Sequence, residues 1–97
     1  MPTFRLTEQA EIDLDRLTAQ SIDTWGPAQT AIYISAIDFA FSDLAENPSL
    51  GRRRFDLGKD VLAHYCGRHV IFFYRLETGD IQVLRILHDR MDFEQHL

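Results

Sequence analysis

The stretch Gly67-Arg-His-Val-Ile-Phe-Phe-Tyr-Arg-Leu-Glu-Thr-Gly-Asp-Ile-Gln-Val-Leu-Arg-Ile-Leu-His88 decides the fold. Two runs rich in β-branched and aromatic residues, His69–Leu76 and Ile81–His88, flank Glu77-Thr-Gly-Asp80, a pattern that predicts a β-hairpin. With Thr78-Gly79 as a two-residue loop, residues whose numbers sum to 157 lie opposite each other. One face then carries Val70, Phe72, Tyr74 and Leu76 against Leu87, Arg85, Val83 and Ile81. The other carries His69, Ile71, Phe73 and Arg75 against His88, Ile86, Leu84 and Gln82. The first face is the more apolar and is expected to meet the helices. A bulge at the turn would slip this register by one.

Working outward, Val61–Cys66 precedes the hairpin as a further strand, joined to it by a tight turn at Gly67. Ser49–Asp60 reads as a loop holding the densest basic cluster, Arg52, Arg53 and Arg54. Two helices come before it. Thr7 suits an N-cap, and Glu8 and Glu11 occupy the first turn, where the helix dipole favours negative charge. Ala10, Leu14, Leu17, Ser21 and Trp25 recur at helical spacing, predicting a helix from Glu8 to Trp25. Gly26-Pro27 ends it and starts a second helix running to about Glu46, stopped by Asn47-Pro48. Its expected inner face is Ala28, Ala31, Ile32, Ser35, Ala36, Phe39, Ala40 and Leu44, widened by Ile37 and Phe41. Thr3–Leu6 forms a short first strand. The fold class is α+β, in the order β-α-α-β-β-β, with a helical hairpin on one face of a mainly antiparallel sheet.

The hairpin strands are apolar on both faces, and two helices can cover only one. Ile71, Phe73, Leu84 and Ile86 are therefore expected on an open face, as a patch of the kind that marks a binding surface. The alternative is that the C-terminal tail and the Arg52–Arg54 loop fold back over it. Arg85, on the face expected to be covered, needs a carboxylate or a place at the margin, because an unpaired buried charge is costly.

Ninety-seven residues, 45% hydrophobic and 26% charged, make one domain spanning positions 1–97. No apolar run approaches the roughly 20 residues needed to cross a bilayer, and Met1–Leu6 lacks the apolar core of a signal peptide, so no membrane association is expected. A lone cysteine, Cys66, excludes an internal disulfide framework and fits a reducing cytoplasm. The net charge of −5 is uneven: residues 1–50 hold eight acids against two arginines, and residues 51–97 hold seven acids against eight bases. An acidic total disfavours direct nucleic-acid binding.

Four histidines, His64, His69, His88 and His96, show no zinc-ligand spacing, and no phosphate loop or nucleophile elbow is present; no metal or cofactor is expected. The one catalytic reading is RNA cleavage, with Tyr65, Arg68, Arg75, Arg85 and His88 supplying acid, base and cations from one sheet. It competes with a structural reading of the same residues at the core margin.

Several blocks taken together resemble the ParE branch of the RelE/ParE toxin superfamily. They are Leu6-Thr…Ala10-Glu-Ile-Asp-Leu-Asp-Arg-Leu17, Trp25-Gly26 and Ala40-Phe-Ser-Asp-Leu-Ala-Glu-Asn-Pro-Ser-Leu-Gly-Arg-Arg53, followed by Gly67–Arg75 and Val83-Leu-Arg-Ile-Leu-His-Asp-Arg-Met-Asp92. The resemblance covers nearly the whole chain, and the His-x-Arg-Met-Asp block is its most specific part. It implies the toxin half of a bacterial type II toxin–antitoxin pair that poisons DNA gyrase by binding, performs no chemistry itself, and is neutralised by a ParD-like antitoxin. The RelE branch cuts mRNA on the ribosome, and its basic character is missing here. Ribosome-dependent mRNA cleavage and a non-toxic relic that only binds antitoxin remain as alternatives. The antitoxin is expected to cover Ile71, Phe73, Leu84 and Ile86 and to pair with Arg52, Arg53, Arg54 and Arg75. His88, Arg90, Met91 and Asp92 are candidates for target contact or for locking the C-terminus.

Overall fold

Local signals set the helix boundaries. The Thr7 hydroxyl accepts the Ala10 N–H at 3.1 Å, and α1 runs Glu8–Trp25 from that cap. Gly26, at φ +86°, lies in a region most side chains avoid, and Pro27 opens α2, Pro27–Glu46. Both helices have the predicted limits. In this computed structural model, which describes residues 2–97, a 3-10 turn at Pro48–Leu50 follows α2.

The sheet has five strands: β1 (Phe4–Leu6), β2 (Arg52–Arg53), β3 (Leu62–Cys66), β4 (His69–Arg75) and β5 (Ile81–His88). Their spatial order is β1-β5-β4-β3-β2. β1 lies parallel to β5, with Phe4 opposite Ile81, and the other pairings are antiparallel. Part of the expected basic loop is thus a two-residue edge strand, Arg52–Arg53. A last helical turn, α3 (Phe93–His96), is capped by the Asp92 carboxylate, which accepts the Glu94 N–H.

The expected hairpin register holds for half its length. His69↔His88 through Phe72↔Arg85 pair as predicted; the pairing then slips to Phe73↔Val83 and Arg75↔Ile81. Leu84 is the extra residue of a β-bulge, and the bulge breaks the inside–outside alternation of β5. Ile81, Val83 and Ile86 therefore all face the helices. On β4 the side chains beneath the helices are Ile71 and Phe73, both fully buried, so the expected face assignment is reversed for this strand. Val70, Phe72 and Leu87 lie on the opposite face with Val61 and Ala63. That face is not open: Leu57 from the β2–β3 loop and Phe93 from α3 pack over it.

Helix α2 turns only part of its expected face inward, namely Leu44 with Ile37 and Phe41. Thr30, Ile37, Phe41, Leu44 and Ala45 are buried, and Thr30 satisfies its hydroxyl on the Gly26 carbonyl at 2.8 Å. The expected inner residues Ile32 and Phe39 are 64% and 72% exposed. α2 is apolar almost all round, so its pattern does not single out one face, and the bulkier stripe Ile37–Phe41–Leu44 goes inward. In α1, Ala10, Leu17 and Ser21 are buried as expected, whereas Trp25 is 57% exposed.

Candidate functional site

One buried acid organises the far end of β5. Asp13, on the inner stripe of α1, holds the Arg85 guanidinium through contacts of 2.7 and 2.9 Å and accepts the Ile86 N–H at 3.0 Å. β1 is too short to pair with this part of β5, so side chains from α1 and its cap do so instead. Thr7 donates its hydroxyl to the Leu84 carbonyl at 2.8 Å, and Asp13 takes the next amide. Arg85 also donates to the His96 carbonyl at 2.7 Å, tying α3 to the sheet. The Asp13 carboxylate beside it holds the guanidinium pKa above its usual value. The demand of Arg85 for a carboxylate was legible in the sequence; its partner was not identified there. The available signal was a charged residue set between Ala10 and Leu17 on a buried helical stripe.

The C-terminal block is a latch. Phe93 meets Phe72 edge-on at 5.0 Å, and the Arg54 guanidinium sits 5.6 Å above the Phe93 ring. Arg54 also grips Asp56 through contacts of 3.0 and 2.8 Å, and that hydrogen-bonded guanidinium holds the Asp56 carboxyl below its usual range. Arg90 donates its N–H to His88 Nδ1 at 3.2 Å, and Asp89 lies 3.2 Å from the same nitrogen. Met91 is exposed.

The arginine cluster is divided. Arg54 faces inward on the latch, whereas Arg52 and Arg53 are exposed on the edge strand. Arg53 and Arg75 line a cleft of about 400 Å³ with Pro48, Ser49, Gly51, Asp60 and Leu62. Neither has a carboxylate within ion-pairing distance among the described residues. Two unpaired guanidiniums beside an exposed sheet edge suit a negatively charged segment. Ile71, Phe73 and Ile86 cannot belong to such a surface, because they are buried beneath the helices. Leu84 packs, partly buried, on the opposite face.

Cross-strand pairing separates the candidate acid–base groups. Cys66, His69 and His88 form one row on the helix side, and Tyr65, Val70 and Leu87 form the next row on the other side. The His69 and His88 rings are 5.4 Å apart, and the Tyr33 hydroxyl from α2 lies 2.7 Å from His69 Nδ1. That hydroxyl also accepts the Arg68 N–H and donates to the Cys66 carbonyl, each at 3.1 Å. Burial pushes the His69 pKa down, with His88 adding to the shift, and burial pushes the Cys66 thiol up, away from thiolate reactivity. Gly67 makes this arrangement possible: it sits at φ +59°, and a Cβ there would come within 2.7 Å of the Tyr33 ring. No group of three or more His, Cys, Asp or Glu side chains placed to hold a metal occurs among the described residues.

Solved toxin–antitoxin structures share this fold. The chromosomal ParDE system of P. aeruginosa matches with a TM-score of 0.75 at 21% identity, covering 91% of this chain and 96% of that one. The RelBE2 toxin–antitoxin complex of Mycobacterium tuberculosis matches at 0.63 and 25% identity, covering 91% and 99%. In sequence, the protein is 31% identical over 97 residues to Toxin ParE1 of Caulobacter vibrioides, covering 100% of this chain and 99% of that protein. The family model described as "ParE toxin of type II toxin-antitoxin system, parDE" matches residues 4–93. The chain therefore belongs to the ParE toxin family of type II toxin–antitoxin systems. No helix among the described residues is long and apolar enough to cross a membrane.

Proposed function

We propose that this ParE-family toxin inhibits DNA gyrase in the cytoplasm by binding, without catalysing a reaction, and that a ParD-like antitoxin neutralises it. The observation that carries the choice of binding over catalysis is the separation of Tyr65 from His88. They lie in adjacent cross-strand rows and so on opposite faces of the sheet, and Arg85 is engaged by Asp13. A general acid and base on opposite faces cannot reach one phosphodiester. The antitoxin pairs with Arg52, Arg53 and Arg75 at the open β2 edge, while Arg90, Met91 and Asp92 on the exposed latch surface are offered to the target.

The test is a supercoiling assay with purified gyrase, run beside a cleavage assay on translating ribosomes. Supercoiling stops and mRNA stays intact if the reading holds. Cleavage that disappears in His88→Ala would overturn it. A chain that does neither, yet binds a ribbon-helix-helix antitoxin tightly, is a relic and not an active toxin. For the antitoxin surface, Arg53→Glu with Arg75→Glu is expected to weaken antitoxin binding by at least about 100-fold, as for removal of a paired charge cluster.

A further inference from the structure

Helix α2 has an outer face that nothing in the fold covers. Ala28, Ile32, Ser35 and Phe39 recur at i, i+4, i+7 and i+11 along one side, and all four are exposed. Large and small residues alternate along this stripe. Its charge is also lopsided: Pro27–Ile37 carries no charge, while Asp43 and Glu46 continue the same side at the C-terminal end. At the other end, Arg68 reaches beside the helix and lines, with Trp25, Gln29 and Tyr33, a hollow of about 460 Å³. Arg68 has no ion-pair partner among the described residues.

We propose that this face of α2 pairs antiparallel with the same face of a second copy of the chain, forming a two-fold dimer. In an antiparallel pair in which residue numbers sum to 67, Phe39 of each copy lies over Ala28 of the other, and Ile32 lies over Ser35. Every large side chain then meets a small one, and Phe39 comes to rest at the rim of the Trp25–Tyr33 hollow. The acidic C-terminal end of each α2 falls beside Arg68 of the other copy and near the positive end of its helix dipole. Parallel pairing would instead set Phe39 against Phe39 and acid against acid. A partner bearing only one of these features would leave the other unmatched, whereas a second copy supplies both, as an isologous interface requires. The contact is small and is expected to dissociate in the micromolar range.

Sedimentation velocity of the purified full-length chain between about 1 and about 100 µM tests this, a range spanning such a dissociation constant. A concentration-dependent rise to twice the monomer mass is expected. Phe39→Asp should hold the chain monomeric, with at least about 100-fold weaker association. The residue is 72% exposed, so the variant folds, which circular dichroism verifies. Arg68→Asp should weaken the dimer, and combining it with Asp43→Arg should restore it, a rescue that only a self-complementary contact gives. A chain monomeric at about 100 µM overturns the proposal, and so does a dimer indifferent to Phe39→Asp. A monomer that needs Phe39 only to bind a ribbon-helix-helix antitoxin also overturns it, by assigning the face to that partner.

Discussion

The two faces of the sheet are built from the same strands, yet they are covered in different ways. On one, α1 and α2 lay 38 helical residues, counted from their limits, over Ile71, Phe73, Ile81, Val83 and Ile86, and Asp13 closes that layer with a buried ion pair. On the other, Val70, Phe72 and Leu87 are screened by a loop leucine and one aromatic side chain of a four-residue helical turn. The first cover is integral to the core. The second is a latch held by Phe93, Arg54 and the Arg85–His96 hydrogen bond. Equal hydrophobicity of two faces therefore does not mean equal permanence of what covers them.

That contrast can be broken most severely at Asp13. Asp13→Ala strands the Arg85 guanidinium and the Ile86 amide, and should cost about 3–5 kcal/mol, read as a lowered urea midpoint. A loss below about 1 kcal/mol would mean that the pair is no more than a surface contact. Phe93→Ala should cost less, about 1–2 kcal/mol, because the ring is only half-buried and α3 stays tied through Arg85. The chain should stay folded and bind a hydrophobic dye under native conditions. A dye signal equal to that of the unchanged protein would argue against the latch.

Acidification separates the faces more gently. His69 is half-buried on the helix side beside Tyr33, His88 and Asp89, and its folded pKa lies below the unfolded value of about 6.5. Below that value the unfolded chain takes up the proton first, so stability is fully present above it and is lost as pH falls toward the folded pKa. Urea midpoints at pH 7.5 and 5.5 should therefore differ more in the unchanged protein than in His69→Gln. The smallest effect is expected at the exposed Arg54–Asp56 pair. Asp56→Ala should leave the urea midpoint unresolved from that of the unchanged protein.

Helix limits were readable because caps are local: Thr7, Gly26-Pro27 and Asn47-Pro48 each act on their immediate neighbours. The β4–β5 pairing was readable only up to Phe72↔Arg85. Leu84 sits between Val83 and Arg85 in a strand apolar on both sides, so the sequence carries no mark of where the bulge falls. One unplaced residue sufficed to misassign the face of Ile71 and Phe73. Ile32 and Phe39 of α2 were placed inward for a related reason, since a helix apolar almost all round does not single out one face. Of the site residues, the exposed positions of Arg52, Arg53 and Arg75 followed from their loop and strand-end placement. Arg54 did not, because its stacking on Phe93 depends on how a distant segment folds back.

The parallel pairing of β1 with β5 has a consequence for how the protein is made. Phe4 finds its strand partner at Ile81, and Asp13 finds Arg85, contacts that span more than 70 positions of chain. Neither α1 nor β1 can be fixed in place while β5 is missing, so the early segments must wait, paying loop-closure entropy before any of these contacts rewards it. A nascent chain lacking β5 is thus without both the strand that joins β1 to β4 and the carboxylate–guanidinium clasp that seats α1. The sheet is completed by the last of its five strands to be synthesised.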